Sequence, residues 1–498
     1  MNRLRVFVIY SVIGLTLIHN GLPLDMHRAK RTFLKDSLEL DKLQRAVEIS
    51  PFEIWLFKEK FKSMQDILLT SELLDEEVIE RKGTIDRLQD AMKRALLGQD
   101  TVVVVMGGSI SAGGGLINDN PDVRGTYYRV FIDWWEKTVE PFTNSKIRLR
   151  NLAIGGTCSD FYFYCFNTFL QPQETMDIVF LEFSVNDYLI FKTSQFPKVL
   201  SLEKLTRKVL REQNLPAIIY VNFIQGVKST AQCDNLENSG QTMLAWHYGI
   251  TSVSSRNALC PNAEKRKNPL MYSSDGNHPS LIAHAQMALM IINSVRSALL
   301  RAIRNAKWNI LENHSSEELP RHVFYSMEPY IPPLCYTLIT PDRFHKVVNP
   351  SLLIQVTENK GFKQFEIKGI GFFKTPQVKH TQEPQRTDGF GGWQAENENS
   401  TLKIRLVLPC DVGNSNCTKS VVIAFRTHGF GGKAEVWLDD NRPGTVIDTM
   451  SGYGHTRLAT IAEHVTSGIH MLHLRTMNAG KFMLCGVMAG ESSVPTHK

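Results

Sequence analysis

Four short turns in this 498-residue chain carry residue types that nucleophilic catalysis uses: a hydroxyl, unsubstituted backbone N–H groups, a neutral amide, and an acid near a base. Gly107-Gly108-Ser109-Ile110-Ser111 follows the apolar run TVVVVM (101–106). Glycines permit a tight strand-to-helix turn there, and a helix N-terminus at Ser109 would favour developing negative charge. Gly155-Gly156-Thr157 follows KIRLRNLAI (146–154), where a glycine N–H can approach an oxyanion with no Cβ in the way. Ser184-Val185-Asn186-Asp187 follows MDIVFLEF (176–183) and sets an amide donor at a strand end. Asp275-Gly276-Asn277-His278 precedes a long apolar stretch (279–302), and an acid three residues ahead of a base can orient its ring. Each turn also has a purely structural use: a helix N-cap for Ser109, a plain turn at Gly155-Gly156, an Asx turn at Asn186-Asp187, a helix-start acid with a surface histidine at Asp275 and His278. Asp187 competes with Asp275 as the orienting acid, whereas His247 and His284 read as structural or surface histidines.

Other nucleotide and hydrolase motifs fail on the same stretch. Gly108 and Gly113 have the spacing of a phosphate-binding loop, but Gly114-Gly115 stand where Lys-Ser/Thr is required. No GxGxxG follows the first strand, and Ser111 replaces the second glycine of a GxSxG elbow. The elements that must hold the four turns alternate. Apolar strands at 101–106, 146–154, 176–183 and 217–223 are separated by helix patterns at 127–139 and 202–213 and closed by the long helix 279–302, the pattern of a parallel α/β sheet with crossovers. In such sheets reactive groups lie beyond the carboxyl ends of the strands, where all four turns fall.

The four blocks, in this order, resemble the SGNH hydrolases, the GDSL-type esterase superfamily. Ser109 in GGS matches the first block, Gly156 in N-x-A-x-x-G (from Asn151) the second, Asn186 in SVND the third, and Asp275 with His278 in DGNHPS the last. The resemblance spans about 100–302 and departs at Gly108, where the block has Asp, and at Ser184, where it has Gly. It implies a flavodoxin-like three-layer α/β sandwich and a serine esterase without a cofactor or metal. Ser109 would attack an ester carbonyl, His278 would take its proton, and Asp275 would orient the imidazole. The Ser109 and Gly156 backbone N–H groups and the Asn186 amide would form the oxyanion hole. The substrate it implies is a short acyl ester, above all acetyl, on a glycan or another small alcohol. A glycan acyltransferase, a lipid esterase and a catalytically idle glycan-binding protein are the alternatives.

Around this unit the reading sets a signal peptide or signal anchor at 1–24, a helical lead-in at 25–98, the catalytic unit at 99–305, a polar connector at 306–340 and an all-β sandwich or jelly roll at 341–498. Arg3 and Arg5 precede thirteen apolar residues, which suits a signal h-region and falls short of the roughly 20 of a membrane span. Eight cysteines and N-x-[ST] sequons at Asn313, Asn399 and Asn416 agree with an oxidising, secretory-pathway setting, either secreted or held in the Golgi by a type II anchor. Cys158/Cys165, Cys233/Cys260 and Cys410/Cys417 are candidate disulfide pairs by proximity, the first as a brace for the loop at Gly156. Lys and Arg total 56 against 50 Asp and Glu, without clustering, which argues against a nucleic-acid partner. Trp393 and Trp437 are read as core or sheet-face packing of the β domain, with sugar stacking as the alternative.

Overall fold

The structure is a computed structural model that describes residues 37–49, 79–81, 86–116, 125–192, 194, 197–261, 263–308, 318–324, 330–341, 349–367, 390–410 and 417–492. The expected signal segment, most of the lead-in, and the sequons at Asn313 and Asn416 lie outside these residues. Among the described residues no helix is long and apolar enough to cross a membrane.

The first domain is built on one twisted sheet. Its strands are β1 (Ile79–Arg81), β2 (Thr101–Gly107), β3 (Ile147–Asn151), β4 (Ile178–Glu182), β5 (Ala217–Asn222) and β6 (Thr251–Ser254). They lie in the order β1-β6-β5-β4-β2-β3, parallel except for β1, which runs antiparallel to β6. The parallel part is a doubly wound sheet whose order reverses at β2. The lead-in, read as wholly helical, thus also contributes the edge strand β1. The helices are α1 (Ser37–Glu48), α2 (Asp86–Leu96), α3 (Tyr127–Thr138), α4 (Ser159–Cys165), α5 (Ser184–Ile190), α6 (Leu200–Leu210), α7 (Gln241–Tyr248) and α8 (Leu281–Lys307), with several shorter turns between them.

The unbroken apolar runs of β2 and β4 follow from burial on both faces. Val103 and Val105 join Ile178 and Phe180 in one core with α3 and α8, while Val102, Val104 and Met106 join Val179 and Leu181 in the other, with α4 and α6. The lead-in helix α2 is fastened to this frame by Arg94, whose guanidinium lies 2.6 Å from Asp177. The other oxygen of Asp177 accepts from the Val102 N–H at 2.8 Å.

The second domain is a β-sandwich of two antiparallel sheets. One is β15-β12-β17-β10-β9 with β7 paired to β17, and the other is β14-β13-β16-β11-β8. The ranges are β7 (Leu334–Thr337), β8 (Leu353–Lys360), β9 (Lys363–Ile367), β10 (Phe390–Ala395), β11 (Thr401–Leu408), β12 (Thr418–Arg426), β13 (Lys433–Leu438), β14 (Thr445–Asp448), β15 (Thr456–Thr466), β16 (Gly468–Thr476) and β17 (Phe482–Gly490). Strand β7 falls within the stretch read as connector. Trp393 is buried in the sandwich core and stacks on Tyr336, whereas Trp437 is half-buried on the outer face of its sheet, stacked on His473 beneath Arg442.

The sheet containing β12 and β17 is buried on both sides. Val421, Ile423 and Phe425 enter the sandwich core, while Val422 and Ala424 join Leu458, Met483 and Met488 against α4 and its neighbours in the first domain. The disulfide Cys165–Cys335 crosses this seam with a Cα–Cα distance of 5.2 Å. Cys233–Cys260 and Cys410–Cys417 pair as expected. The Cys158/Cys165 pair does not form. Cys158 is the N-cap and Cys165 the last residue of the seven-residue helix α4, and the rise along that helix holds their Cα atoms about 10 Å apart, beyond disulfide reach. Cys158 is instead a buried thiol.

Candidate active site

Ser109 sits in the turn after β2, the strand where the sheet order reverses. The expected helix N-terminus is absent. Residues 108–115 form successive turns, with Ala112 N–H donating to Gly108 O at 3.0 Å and Gly114 N–H to Ser109 O at 2.7 Å. Gly113 and Gly115 both have positive φ, which stops a helix from propagating. These turns wrap the histidine. A Cβ on Gly115 would lie 2.5 Å from the Cβ of His278, so only glycine lets the chain pass there.

Asp275 and His278 occupy a tight loop closed at its base by the Tyr272–Pro279 bridge and by Ser273 N–H donating to His278 O at 2.8 Å. Ser280, in the same DGNHPS block, is the N-cap of α8. The loop brings the separated residues together: His278 Nε2 lies 2.9 Å from Ser109 Oγ, and His278 Nδ1 lies 2.6 Å from Asp275 Oδ2. The second oxygen of Asp275 accepts from Ser273 Oγ at 2.7 Å and from the Asn277 and His278 N–H groups at 2.7 and 2.9 Å. Partial burial pushes the acid's pKa up, but the hydrogen bonds from His278, Asn277 and Ser273 outweigh it and hold the carboxyl well below the usual range. It stays ionised beside the imidazole.

Asn186, in the first turn of α5, bridges the two loops that flank the serine. Its Nδ2 donates to Thr157 O at 3.0 Å, and it fills the space where a side chain on residue 108 would begin: a Cβ there would meet Nδ2 at 2.0 Å. The Gly108 departure therefore has a physical counterpart, because the commoner aspartate and this asparagine position exclude each other. Ser184 is buried and its hydroxyl donates to Phe223 O at 3.3 Å. Gly156, with φ +66°, lies in the loop between Asn151 and Thr157, which Ile154 N–H ties to Gly107 O at 3.0 Å.

Asp187 is hydrogen-bonded to Ser159, while the His278 ring is hydrogen-bonded to Asp275. Asp187 accepts from the Ser159 N–H at 3.0 Å and the Ser159 hydroxyl at 2.5 Å, and burial raises its pKa to about 7. His284 is buried, stacks on Tyr127 and accepts from the Tyr127 N–H, while His247 bonds to the Arg321 carbonyl. The Cys158 thiol is pushed up by burial and by the nearby Asp187 and Asp160 carboxyls, which makes it a poor nucleophile.

One residue escapes the sequence pattern. Glu182, the last residue of β4, is buried beneath the serine turn, and its Oε2 lies 3.3 Å from the Gly108 and Ser111 nitrogens and 3.1 Å from the Ser111 hydroxyl. Burial pushes its pKa to about 8 against those hydrogen bonds. The signal was a lone acid ending an apolar strand, FLEF.

No protein-family model matches the sequence, and no curated protein matches it. Among solved structures, a two-domain esterase active on acetylated mannans aligns with a TM-score of 0.55 at 19% identity, over 84% of this chain and 98% of that one. The chain shares the fold of that esterase, a doubly wound α/β domain with an appended β domain, which is the architecture the resemblance implies. Partial likenesses include a member of the lipolytic G-D-S-L family from Veillonella parvula (TM-score 0.28, 11% identity, 39% of this chain and 97% of that one). An acetyl xylan esterase from Geobacillus stearothermophilus aligns with a TM-score of 0.29 at 17% identity, over 40% of this chain and 96% of that one. Within this fold the serine, glycine, asparagine and histidine blocks all lie at the carboxyl ends of the parallel strands or immediately before α8.

Proposed function

We propose that the protein is a serine esterase that removes short acyl groups, chiefly acetyl, from glycans. The observation that carries this is the hydrogen-bonded line Ser109 Oγ, His278, Asp275 at the point where the sheet order reverses. His278 accepts the Ser109 proton as Oγ attacks the ester carbonyl, then returns it to the departing alcohol; water repeats the sequence on the acyl-enzyme. Asp275, ionised and held by three further donors, fixes the imidazole through Nδ1. The tetrahedral oxyanion faces the Ser109 and Gly156 N–H groups and Asn186, and one such donor is worth about 2.7–4 kcal/mol in the transition state.

The glycan part is supported by the two-domain neighbour, which acts on acetylated mannans. A secretory setting is supported by three disulfides among the described residues and by the exposed Asn399 sequon between β10 and β11. The test is acetate release from acetylated mannan and xylan oligosaccharides beside hydrolysis of p-nitrophenyl acetate, butyrate and octanoate. The reading expects acetyl to be preferred and Ser109→Ala and His278→Ala to abolish turnover. Preference for octanoate, or turnover by Ser109→Ala, would overturn it.

A further inference from the structure

The loop that carries Gly156 is not held by the first domain alone. Arg426, the last residue of β12, donates from Nη1 to the Gly155 carbonyl at 3.2 Å and to Thr456 Oγ1 at 3.0 Å. Thr456 N–H, at the start of β15, donates to the Gly156 carbonyl at 2.8 Å. Thr157 Oγ1 and Thr456 Oγ1 are 3.2 Å apart, and Gly454 O lies 2.6 Å from where a Cβ on Gly156 would be. Two successive carbonyls of a Gly-Gly pair are thus gripped by the β domain.

We propose that Arg426 is a positioning residue for ester hydrolysis: by holding the Gly155 carbonyl it sets the direction of the Gly156 N–H, one of the two backbone donors of the oxyanion hole. This rests on the esterase reading above. The Gly155 carbonyl and the Gly156 N–H belong to one planar trans peptide unit, so they point opposite ways and rotate together. Glycine on both sides of that unit leaves it free to flip, and no side chain of its own resists. With the carbonyl drawn to Arg426 in the β domain, the N–H leaves on the opposite side, toward the first domain that holds Ser109. The β domain then serves catalysis by fixing a donor in advance, which is how a hydrogen bond acts on a transition state without reorganisation at the moment of reaction.

The test is p-nitrophenyl acetate kinetics on the full chain for wild type, Arg426→Ala, Arg426→Lys and Phe430→Ala. Phe430 is 79% exposed on a nearby turn of the β domain and serves as the control. The expected result is a fall in kcat of about 10- to 100-fold for Arg426→Ala with KM within about twofold, a smaller fall for Arg426→Lys, and no change for Phe430→Ala. Millimolar guanidinium should restore part of the Arg426→Ala loss, which a purely structural role would not permit. Should Arg426→Ala fail to fold, Arg426→Lys decides. An active wild type with kcat unchanged in the folded Arg426 variants overturns the inference and leaves the esterase reading standing. A wild type that neither turns over nor reacts with a fluorophosphonate overturns both.

Discussion

Glu182 takes up the backbone N–H groups of the serine turn that would otherwise lie buried and unpaired. Its folded-state pKa of about 8 stands above the value of 4.5 that it has when solvated. Between those values the folded chain keeps a proton that the unfolded chain has lost, so stability falls as pH rises through that window, and the loss is complete above about 8. Asp160 and Asp187, each raised to about 7 by burial, act in the same direction and remain in any Glu182 variant. Glu182→Gln removes one of the three contributions. Its melting temperature should therefore decline less between pH 5 and 8 than that of the wild type, with the gap widening toward pH 8; parallel curves would contradict the assignment. Asp275 acts with the opposite sign, since its lowered pKa stabilises the fold above the ordinary carboxylate range and that contribution is lost on acidification.

At the scale of elements, the site is made where turns from three parallel strands meet a loop before α8. The space beside Gly108 is the tightest of these, since an added Cβ would meet Asn186 Nδ2 at 2.0 Å, and Gly108→Ala is expected to push the asparagine amide aside. Loss of this proposed oxyanion donor predicts a fall in kcat of about 100-fold with little change in melting temperature, measured against Asn186→Ala as the reference. Wild-type kcat in Gly108→Ala would show that Asn186 donates nothing to the transition state. Most of the elements were legible in the sequence because their cause is local. TVVVVM and MDIVFLEF read as strands since both faces of the sheet are buried, and the four blocks sit in the turns that follow from that reading. Strand β6 and helix α7 were not legible. TSVS is too short and too polar to stand out, and QTMLAWHY has weak helical amphipathicity, leaving Met243 and Trp246 exposed. Glu182 was hidden for another reason, since its partners are backbone groups brought near by the fold and leave no mark on the sequence.

For the whole molecule, the informative clue was TKSVVIAFR, an apolar run that, like FMLCGVMAG in β17, does not alternate. A strand that is apolar on both sides needs two cores, and β12 has them, one inside the sandwich and one against α4. The disulfide Cys165–Cys335 locks the second of these across a sequence separation of 170. Replacing both cysteines by serine is expected to cost about 2–5 kcal/mol, read as a lowered urea midpoint under non-reducing conditions; an unchanged midpoint would show that the interdomain core holds without it. Lys204, 3.1 Å from Glu491, ties the same seam. The proposed function requires Ser109 to be the nucleophile of an esterase, activated by His278. The most direct measurement is covalent labelling of the full chain by a fluorophosphonate, with the modified residue located by mass spectrometry. The account predicts one adduct, on Ser109, absent in Ser109→Ala and formed far more slowly in His278→Ala. Labelling at another residue, or no labelling of the folded wild type, would contradict it.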